Sequence, residues 1–184
     1  MATVDELVQD AQKRMDSSVE HTRSEFNTVR TGRASPALLD RVEVDYYDTT
    51  TPLKQLAGIS ASEARLLTVT PYDKSSIKAI EKAILESDLG LTPSNDGKLI
   101  RLPMPQPTEE RRKELVKVVR KIAEEGKVAV RNVRRDAVHH LKELKDVGSD
   151  DERRAEDGVQ KLTDDHTKTI DDLLRHKEAE IMEV

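Results

Sequence analysis

Apolar residues recur every three or four positions along three long stretches of the chain, which is the spacing of one face of an α-helix. The first stretch runs from Val4 to Val29 and stops where Thr31-Gly32-Arg33-Ala34-Ser35-Pro36 begins, because glycine and proline favour a helix end there. The second follows Thr108, a good N-cap residue, and continues to Gly148. The third begins at the capping-box sequence Ser149-Asp150-Asp151-Glu152 and continues to the end of the chain. The pattern therefore predicts three long amphipathic helices.

Between the first two helices the apolar period changes from about 3.6 to two, which indicates strands. Val42, Val44 and Tyr46 alternate with polar residues, and Asp48-Thr49-Thr50 is predicted to form a turn. Residues 65–70 predict a further strand ended by Pro71, and residues 76–85 return to helical spacing. The turn sequence 95–97 precedes a predicted strand at 98–102. The middle of the chain is thus expected to be a small α/β unit, rich in strands.

Long helices with one apolar stripe each bury those stripes most economically against each other. We therefore expect an α+β protein in which residues 1–30 and 105–184 form a long antiparallel three-helix bundle, and residues 31–104 form an inserted α/β domain. Two short connections, centred on residues 30–36 and on Pro103-Met104-Pro105-Gln106-Pro107, would join the domains. Alternate prolines hold the second connection extended, so the two connections together predict a hinge.

Composition narrows the function classes. The chain has no cysteine or tryptophan, one phenylalanine and three tyrosines. No stretch approaches the roughly 20 apolar residues of a membrane span, and the first residues are charged where a secretory signal would be apolar. We therefore expect a cytoplasmic protein, with no disulfides and little material for stacking nucleic-acid bases.

The net charge of −5 conceals an uneven distribution. Residues 105–147 contain twelve basic and eight acidic residues, whereas residues 148–184 contain six basic and twelve acidic ones. On a helical wheel seven basic residues of the second helix gather on one side, within about 60° of Lys113. They are Lys113, Lys117, Arg120, Lys127, Arg131, Arg134 and Arg135.

This basic stripe would be about 33 Å long, and the apolar residues Leu115, Ile122, Ala129 and Val133 fall on the opposite side. Arginine and lysine without aromatic residues favour contact with the phosphates of folded, paired RNA, since single strands require stacking. The plainer alternative is a solvated helix face, and Glu124 within the stripe favours it. The sequence alone leaves both interpretations open.

Other chemistry is poorly supported by the sequence. His139-His140 and His166 lack partner ligands at metal-binding spacing, so they are interpreted as surface or interhelix residues. Asp164-Asp165 and Asp171-Asp172 are adjacent on a helix and point apart, which disfavours catalytic pairs. No phosphate-binding loop and no paired nucleophile and base were found. We expect no cofactor, no metal and no enzymatic activity.

Four sequence runs, in order across both predicted domains, closely resemble the bacterial ribosome recycling factor family. They are Arg30-Thr31-Gly32-Arg33-Ala34-Ser35-Pro36, residues 80–84 with Ser87-Asp88-Leu89-Gly90-Leu91, residues 108–113, and Val130-Arg131-Asn132-Val133-Arg134-Arg135-Asp136-Ala137. The resemblance covers essentially the whole chain. It implies an L-shaped monomer of tRNA-like dimensions that, with elongation factor G and GTP, splits the post-termination ribosome into subunits.

The resemblance also implies roles for individual residues. Contacts with large-subunit ribosomal RNA would fall chiefly on Arg131, Arg134 and Arg135, with Arg111, Arg112, Lys113, Lys117, Arg120 and Lys127 in support. The hinge would comprise Arg30, Thr31, Gly32 and Arg33 together with Pro103, Met104 and Pro105. Two rival functions remain open: a helical adaptor that binds an acidic protein through the same stripe, and a hydrolase that uses the acidic third helix.

Overall fold

The structure is a computed structural model that describes residues 3–144 and 147–183. In chain order the elements are α1 (Val4–Thr28), β1 (Glu43–Tyr46), β2 (Thr49–Pro52), α2 (Leu53–Leu56), β3 (Ala57–Glu63), β4 (Leu66–Pro71), α3 (Ile77–Glu86), β5 (Ser94–Asn95), β6 (Ile100–Pro103), α4 (Glu109–Glu143) and α5 (Ser149–Glu183). Short 3₁₀ helices lie at Pro36–Leu39 and Lys74–Ser76. The fold is α+β, and no helix in the described part of the chain is long and apolar enough to span a membrane.

The chain divides into two compact units. One contains α1, continues to Arg30 and resumes at Glu109, so it includes α4 and α5; the other is Thr31–Thr108. The two units have separate hydrophobic cores. The strand-rich unit is therefore inserted, in sequence, between the first and second long helices.

The three long helices contact one another and bury a common apolar core. Met15 from α1, Val119 and Val130 from α4, and Val159 and Ile170 from α5 are completely buried. Burial of each such side chain contributes roughly 1.5–3 kcal/mol, which is far more than the intrinsic preference of these polar sequences for helix. The predicted bundle is thus held together by the three apolar stripes.

The ends of the three long helices agree only in part with the sequence prediction. Thr3 caps α1: its hydroxyl accepts from the Glu6 amide at 3.3 Å, and the Glu6 carboxylate accepts from the Thr3 amide at 2.8 Å. The sequence predicted α4 to extend to residue 147, but the helix ends at Glu143. The predicted cap at Ser149 is also wrong, since Ser149 is itself the first helical residue and the Gly148 carbonyl accepts hydrogen bonds from the amides of Asp151 and Glu152.

The inserted unit contains two antiparallel sheets. β1 pairs with β2, and a four-stranded sheet has the order β3-β4-β6-β5. The predicted turn at Asp48-Thr49-Thr50 begins one residue too late and ends two too late: Tyr47 and Asp48 form the turn, with φ of 50° and 59°, and Thr49 begins β2. Such positive φ values suit a two-residue hairpin, but tyrosine is an unusual residue for them.

The core of the inserted unit includes side chains from the four-stranded sheet and from α3. Leu67, Val69, Ile80, Ile100 and Leu102 are completely buried there. The predicted strands at 65–70 and 98–102 and the helix at 76–85 correspond to β4, β6 and α3. β2, α2, β3 and β5 were not predicted, because their sequences are short or polar and lack a clear alternation. Asn95, predicted as the first residue of a turn, is the last residue of β5.

Candidate RNA-binding surface

The buried face of α4 determines where its basic residues point. The helix buries Leu115, Val119, Ala123 and Val130, among others, whereas Ile122 and Ala129 are only half-buried. On the wheel the centre of the buried face is therefore turned by about 60° from the direction that the sequence predicted. This rotation of the buried face places one edge of the basic stripe against α5. The stripe is therefore not directed outward along its whole width, as the sequence predicted.

Three of the predicted RNA-binding residues lie at this edge, and we call them the inner row: Arg120, Lys127 and Arg134. Each contacts α5: Arg120 Nε lies 2.6 Å from Glu178 Oε1, Lys127 Nζ lies 3.0 Å from Asp171 Oδ1, and Arg134 Nη1 donates to Gln160 Oε1 at 3.1 Å. The inner row is therefore already engaged within the bundle, and two of its three cations are neutralised by carboxylates.

Lys127 is the most enclosed member of the inner row. Its side chain is only 16% exposed, and its ammonium also lies 2.9 Å from Glu124 Oε1. Hydrogen bonds from the ammonium to Glu124 and to Asp171 raise the pKa of Lys127 above its usual value. A lysine held by two carboxylates has little remaining capacity for a phosphate, so Lys127 is a structural cation in this conformation.

A second set of cations, the outer row, comprises Lys113, Lys117, Arg131 and Arg135. They fall within about 40° of one another on the wheel, and all four are exposed. Lys113 Nζ lies 2.7 Å from Glu109 Oε1, and Arg131 lies 4.0 Å from Glu124. Within the described residues, no carboxylate oxygen comes within 4 Å of Lys117 or Arg135. The outer row is thus the least neutralised part of the stripe.

Arg111 and Arg112 lie outside both rows. They precede Lys113 by two residues and one residue, which places them about 200° and 100° around the helix from it. Arg111 Nη1 lies 3.0 Å from Glu114 Oε2, and Arg112 Nη1 donates to the Met182 carbonyl at 3.3 Å. The helix therefore does not bring these two arginines together with the outer row.

The predicted hinge residues lie at the ends of the inserted unit. Gly32 adopts φ of 84°, a conformation that favours glycine, and two residues later the Ala34 amide donates to the Ala64 carbonyl at 2.8 Å. Pro103 is the last residue of β6. Met104 is buried in the core of the inserted unit, and its amide donates to the Arg65 carbonyl at 2.8 Å. Met104 is therefore held within that unit, whereas Pro105 is exposed.

The polar partners on α5 were not predicted. Glu178, Asp171 and Gln160 are separated from the inner row by 26 to 58 residues in sequence, so no local motif could identify them. A usable signal did exist: from 120 to 127 along α4, and from 178 to 171 along α5, the chain advances by equal steps of about two helical turns. Equal and opposite steps are what antiparallel neighbouring helices require.

The remaining sequence candidates do not form sites. The described residues contain no cluster of histidine and acidic side chains suited to a metal ion. His166 lies between helices, as the sequence suggested: its Nε2 is 2.7 Å from Asp16 Oδ1 on α1, and its Nδ1 is 2.6 Å from the Leu162 carbonyl oxygen. His139 and His140 are exposed.

Known proteins are similar to this chain in sequence over most of its length. A family model described as ribosome recycling factor matches residues 22–182. The ribosome-recycling factor of Rubrobacter xylanophilus is 58% identical over 178 residues, which cover 95% of this chain and 96% of the relative. The ribosome-recycling factor of Legionella pneumophila, strain Paris, is 52% identical, over 98% of this chain and all of the relative.

Solved structures agree with the sequence matches. A solution structure of the ribosome recycling factor superposes with a TM-score of 0.75 at 41% identity, with complete coverage of both chains. A second structure gives models for the T. thermophilus ribosome recycling factor and the E. coli elongation factor G bound to the E. coli post-termination complex. Its matching chain has a TM-score of 0.64 and 45% identity, with 98% of this chain covered. On the full-length sequence matches and this shared fold, the chain belongs to the ribosome recycling factor family of translation factors.

Proposed function

We propose that this chain binds the post-termination ribosome in the cytoplasm and, with elongation factor G and GTP, splits it into subunits, which releases mRNA and tRNA for new initiation. The chain's membership of the family supports the proposal, and so does its alignment over 95% and 98% of its length with two ribosome-recycling factors. So does the related chain of 45% identity that is described on a post-termination complex with elongation factor G.

The observation that carries the RNA-binding part of the proposal is the outer row. Four exposed cations within about 40° of each other extend along one helix, and two of them have no carboxylate within 4 Å among the described residues. Lys117 and Arg135 can therefore contact phosphates without first breaking an ion pair. Lys113 and Arg131 lie near Glu109 and Glu124, but these exposed pairs cost little to break. We therefore assign the primary contacts with large-subunit RNA to Lys113, Lys117, Arg131 and Arg135.

The inner row contributes differently in this proposal. Arg120 and Lys127 are neutralised by α5 and act mainly by holding α4 in place, whereas Arg134 keeps an uncompensated charge beside Arg135. Arg111 and Arg112 are directed to other sides of the helix, so their contribution to RNA binding is expected to be small. Among the arginines of α4, RNA binding should therefore depend most on Arg131, Arg134 and Arg135.

We further propose that the inserted unit moves relative to the bundle during splitting. Two observations support this proposal. The two units have separate cores, and the first connection, at residues 30–33, spans the boundary between Arg30 and Thr31. The second connection, at residues 103–107, lies at the end of the inserted unit, just before the boundary between Thr108 and Glu109. Because Met104 is anchored in the inserted unit, the second flexible segment begins at Pro105. In this scheme the chain catalyses no reaction itself, and GTP hydrolysis belongs to elongation factor G.

Light scattering of post-termination ribosomes tests the proposal directly. The ribosomes are mixed with the protein, a matched elongation factor G and GTP, and the scattering falls as subunits separate. The test variant is Arg135→Ala, and the matched control is Arg154→Ala, which removes the same charge from an exposed arginine near the start of α5. We expect the native protein and the control to split ribosomes at similar rates and Arg135→Ala to be slower.

Two results would contradict the proposal. The absence of any scattering change with the native protein would exclude ribosome splitting and favour the adaptor function. Equal rates for Arg135→Ala and the native protein would remove the outer row from the binding surface. A binding measurement over a range of salt gives a second check, because four phosphate contacts predict a log–log slope of about −3.6.

A further inference from the structure

The polar contacts between α4 and α5 form a regular ladder with one exceptional rung. Four residues of α4, spaced seven, seven and eight residues apart, face α5: Arg120, Lys127, Arg134 and Lys142. Equal steps back along α5 give their partners in register, Glu178, Asp171, Asp164 and Glu156. At three rungs the cation lies within 4 Å of the carboxylate in register, at 2.6, 3.0 and 3.5 Å.

The rung of Arg134 and Asp164 is built differently. Arg134 Nη1 donates to the amide oxygen of Gln160 at 3.1 Å, and the amide nitrogen of Gln160 donates to Asp164 Oδ1 at 2.9 Å. Within the described residues, no carboxylate oxygen lies within 4 Å of the Arg134 guanidinium. The neutral amide thus stands between the cation and the carboxylate that the register would give it.

We propose that Gln160 is a positioning residue of the RNA-binding surface: it holds Arg134 in place through a neutral hydrogen bond and keeps Asp164 from neutralising it. An amide oxygen can fix a guanidinium without cancelling its charge, and the amide N–H group satisfies the carboxylate at the same time. The inference rests on the proposed function, in which Arg134 contacts RNA phosphate.

The surroundings of Arg134 make such insulation useful. Arg134 and Arg135 line an open groove of about 440 Å³ whose opposite side carries Glu156 and Asp157. Glu156 already pairs with Lys142, but without the hydrogen bond to Gln160 a flexible Arg134 would form an ion pair with Asp164 or Asp157 in the absence of RNA. RNA binding would then have to break that pair, and its phosphate contact would be weaker by the lost electrostatic energy.

The test is the salt dependence of binding to purified bacterial large ribosomal subunits. Gln160→Glu keeps the shape of the side chain and gives Arg134 a carboxylate partner. Gln9→Glu is the matched control, since it makes the same substitution at an exposed position on α1. Arg134→Ala measures what the arginine itself contributes. Far-UV circular dichroism confirms that each variant retains its helices.

We expect Arg134→Ala to bind about tenfold more weakly and to lose about 0.9 from the log–log salt slope. Gln160→Glu should reproduce both changes, and Gln9→Glu should match the native protein. Gln160→Ala should also weaken binding, because Arg134 becomes free to pair with Asp164, and adding Asp164→Asn should restore it. A merely structural role for Gln160 would not give that rescue, nor would it change the slope.

The outcomes separate the two proposals. Native binding by Arg134→Ala would contradict the assignment of Arg134 to the RNA surface, and thus the function on which this inference rests. Loss of affinity in Arg134→Ala together with a native slope in Gln160→Glu would overturn the role of Gln160 alone. Failure of Asp164→Asn to rescue Gln160→Ala would show that Asp164 is not the group from which Arg134 is insulated.

Discussion

Two helical glycines in the bundle provide a controlled test of how closely its helices approach. Gly126 lies in α4 and Gly158 in α5, both within long helices. A Cβ atom added at Gly126 would overlap Thr22 Oγ1 and would lie 3.1 Å from Thr22 Cγ2, on α1. A Cβ added at Gly158 meets no atom within 4 Å. The same substitution should therefore have opposite effects at the two positions.

The magnitudes follow from these distances. Replacing a helical glycine by alanine gains about 0.8–1 kcal/mol of helix preference, and Gly158→Ala should gain about this amount. Gly126→Ala gains it too, but it must displace the Thr22 side chain, whose hydroxyl donates to the Ser18 carbonyl at 2.9 Å. Overpacking costs typically 1–3 kcal/mol, so we expect the two variants to differ in stability by about 2 kcal/mol.

The assay can follow each unit separately. All three tyrosines belong to the inserted unit and the chain has no tryptophan, so tyrosine fluorescence reports on that unit alone. Far-UV circular dichroism is dominated by the long helices. In urea, the midpoint measured by circular dichroism should fall for Gly126→Ala and rise for Gly158→Ala, while the fluorescence midpoint stays unchanged.

The double variant Thr22→Ala/Gly126→Ala identifies the cause. Thr22→Ala removes the two nearest atoms, so Gly126→Ala should cost much less in that background, with a coupling energy of about 1–2 kcal/mol. If Gly126→Ala stabilises the bundle as much as Gly158→Ala does, the close approach of α1 and α4 at this point is wrong. A loss that persists in the Thr22→Ala background would mean that another contact is responsible.

Two further predictions concern the inserted unit. Amide hydrogen bonds from Leu99 and Lys98, together with Arg101, lower the pKa of Asp96, so this carboxylate stabilises the unit above about pH 4 and the contribution is lost as the pH falls through the lowered value. Asp96→Asn should therefore lower the stability of the inserted unit near neutral pH and make that stability vary less as the pH is lowered, as measured by tyrosine fluorescence in urea. If stability falls with pH in the variant as it does in the native protein, the role of Asp96 is contradicted. Shortening the 105–107 segment should preserve binding to ribosomes and abolish splitting in the scattering assay, and retention of both activities would exclude the moving-unit mechanism.

Much of the fold could be predicted because long helices with one apolar stripe have few ways to bury it. The stripes of α1, α4 and α5 are regular over many turns, and β4, α3 and β6 carry the expected apolar periods. The hairpin of β1 and β2 was misplaced because its turn uses Tyr47 and Asp48 at positive φ, where glycine or asparagine is the usual sequence signal. β3 was missed because Ala57-Gly58-Ile59-Ser60 has no clear apolar alternation.

The candidate surface was predictable in composition and not in detail, for a physical reason. A wheel drawn from Ile122 and Ala129 misjudges the buried face, since burial depends on where two other helices pack and not on hydrophobicity alone. Turning the face by about 60° divides one basic stripe into an inner row paired with α5 and an outer row left exposed. Only tertiary structure could distinguish Lys127, held by two carboxylates, from Arg135, with none within 4 Å among the described residues.

The same packing explains how an acidic protein can carry a surface suited to RNA. An acidic helix beside a basic one would be expected to repel phosphate and cancel the attraction of its neighbour. In this bundle Glu178, Asp171 and Glu156 are instead in contact with cations of α4, so those carboxylates are neutralised locally. The opposite charges of each ion pair largely cancel at a distance, and salt screens what remains beyond about 8 Å under physiological conditions. The outer row, turned away from these pairs, therefore retains a positive potential that the net charge of −5 conceals.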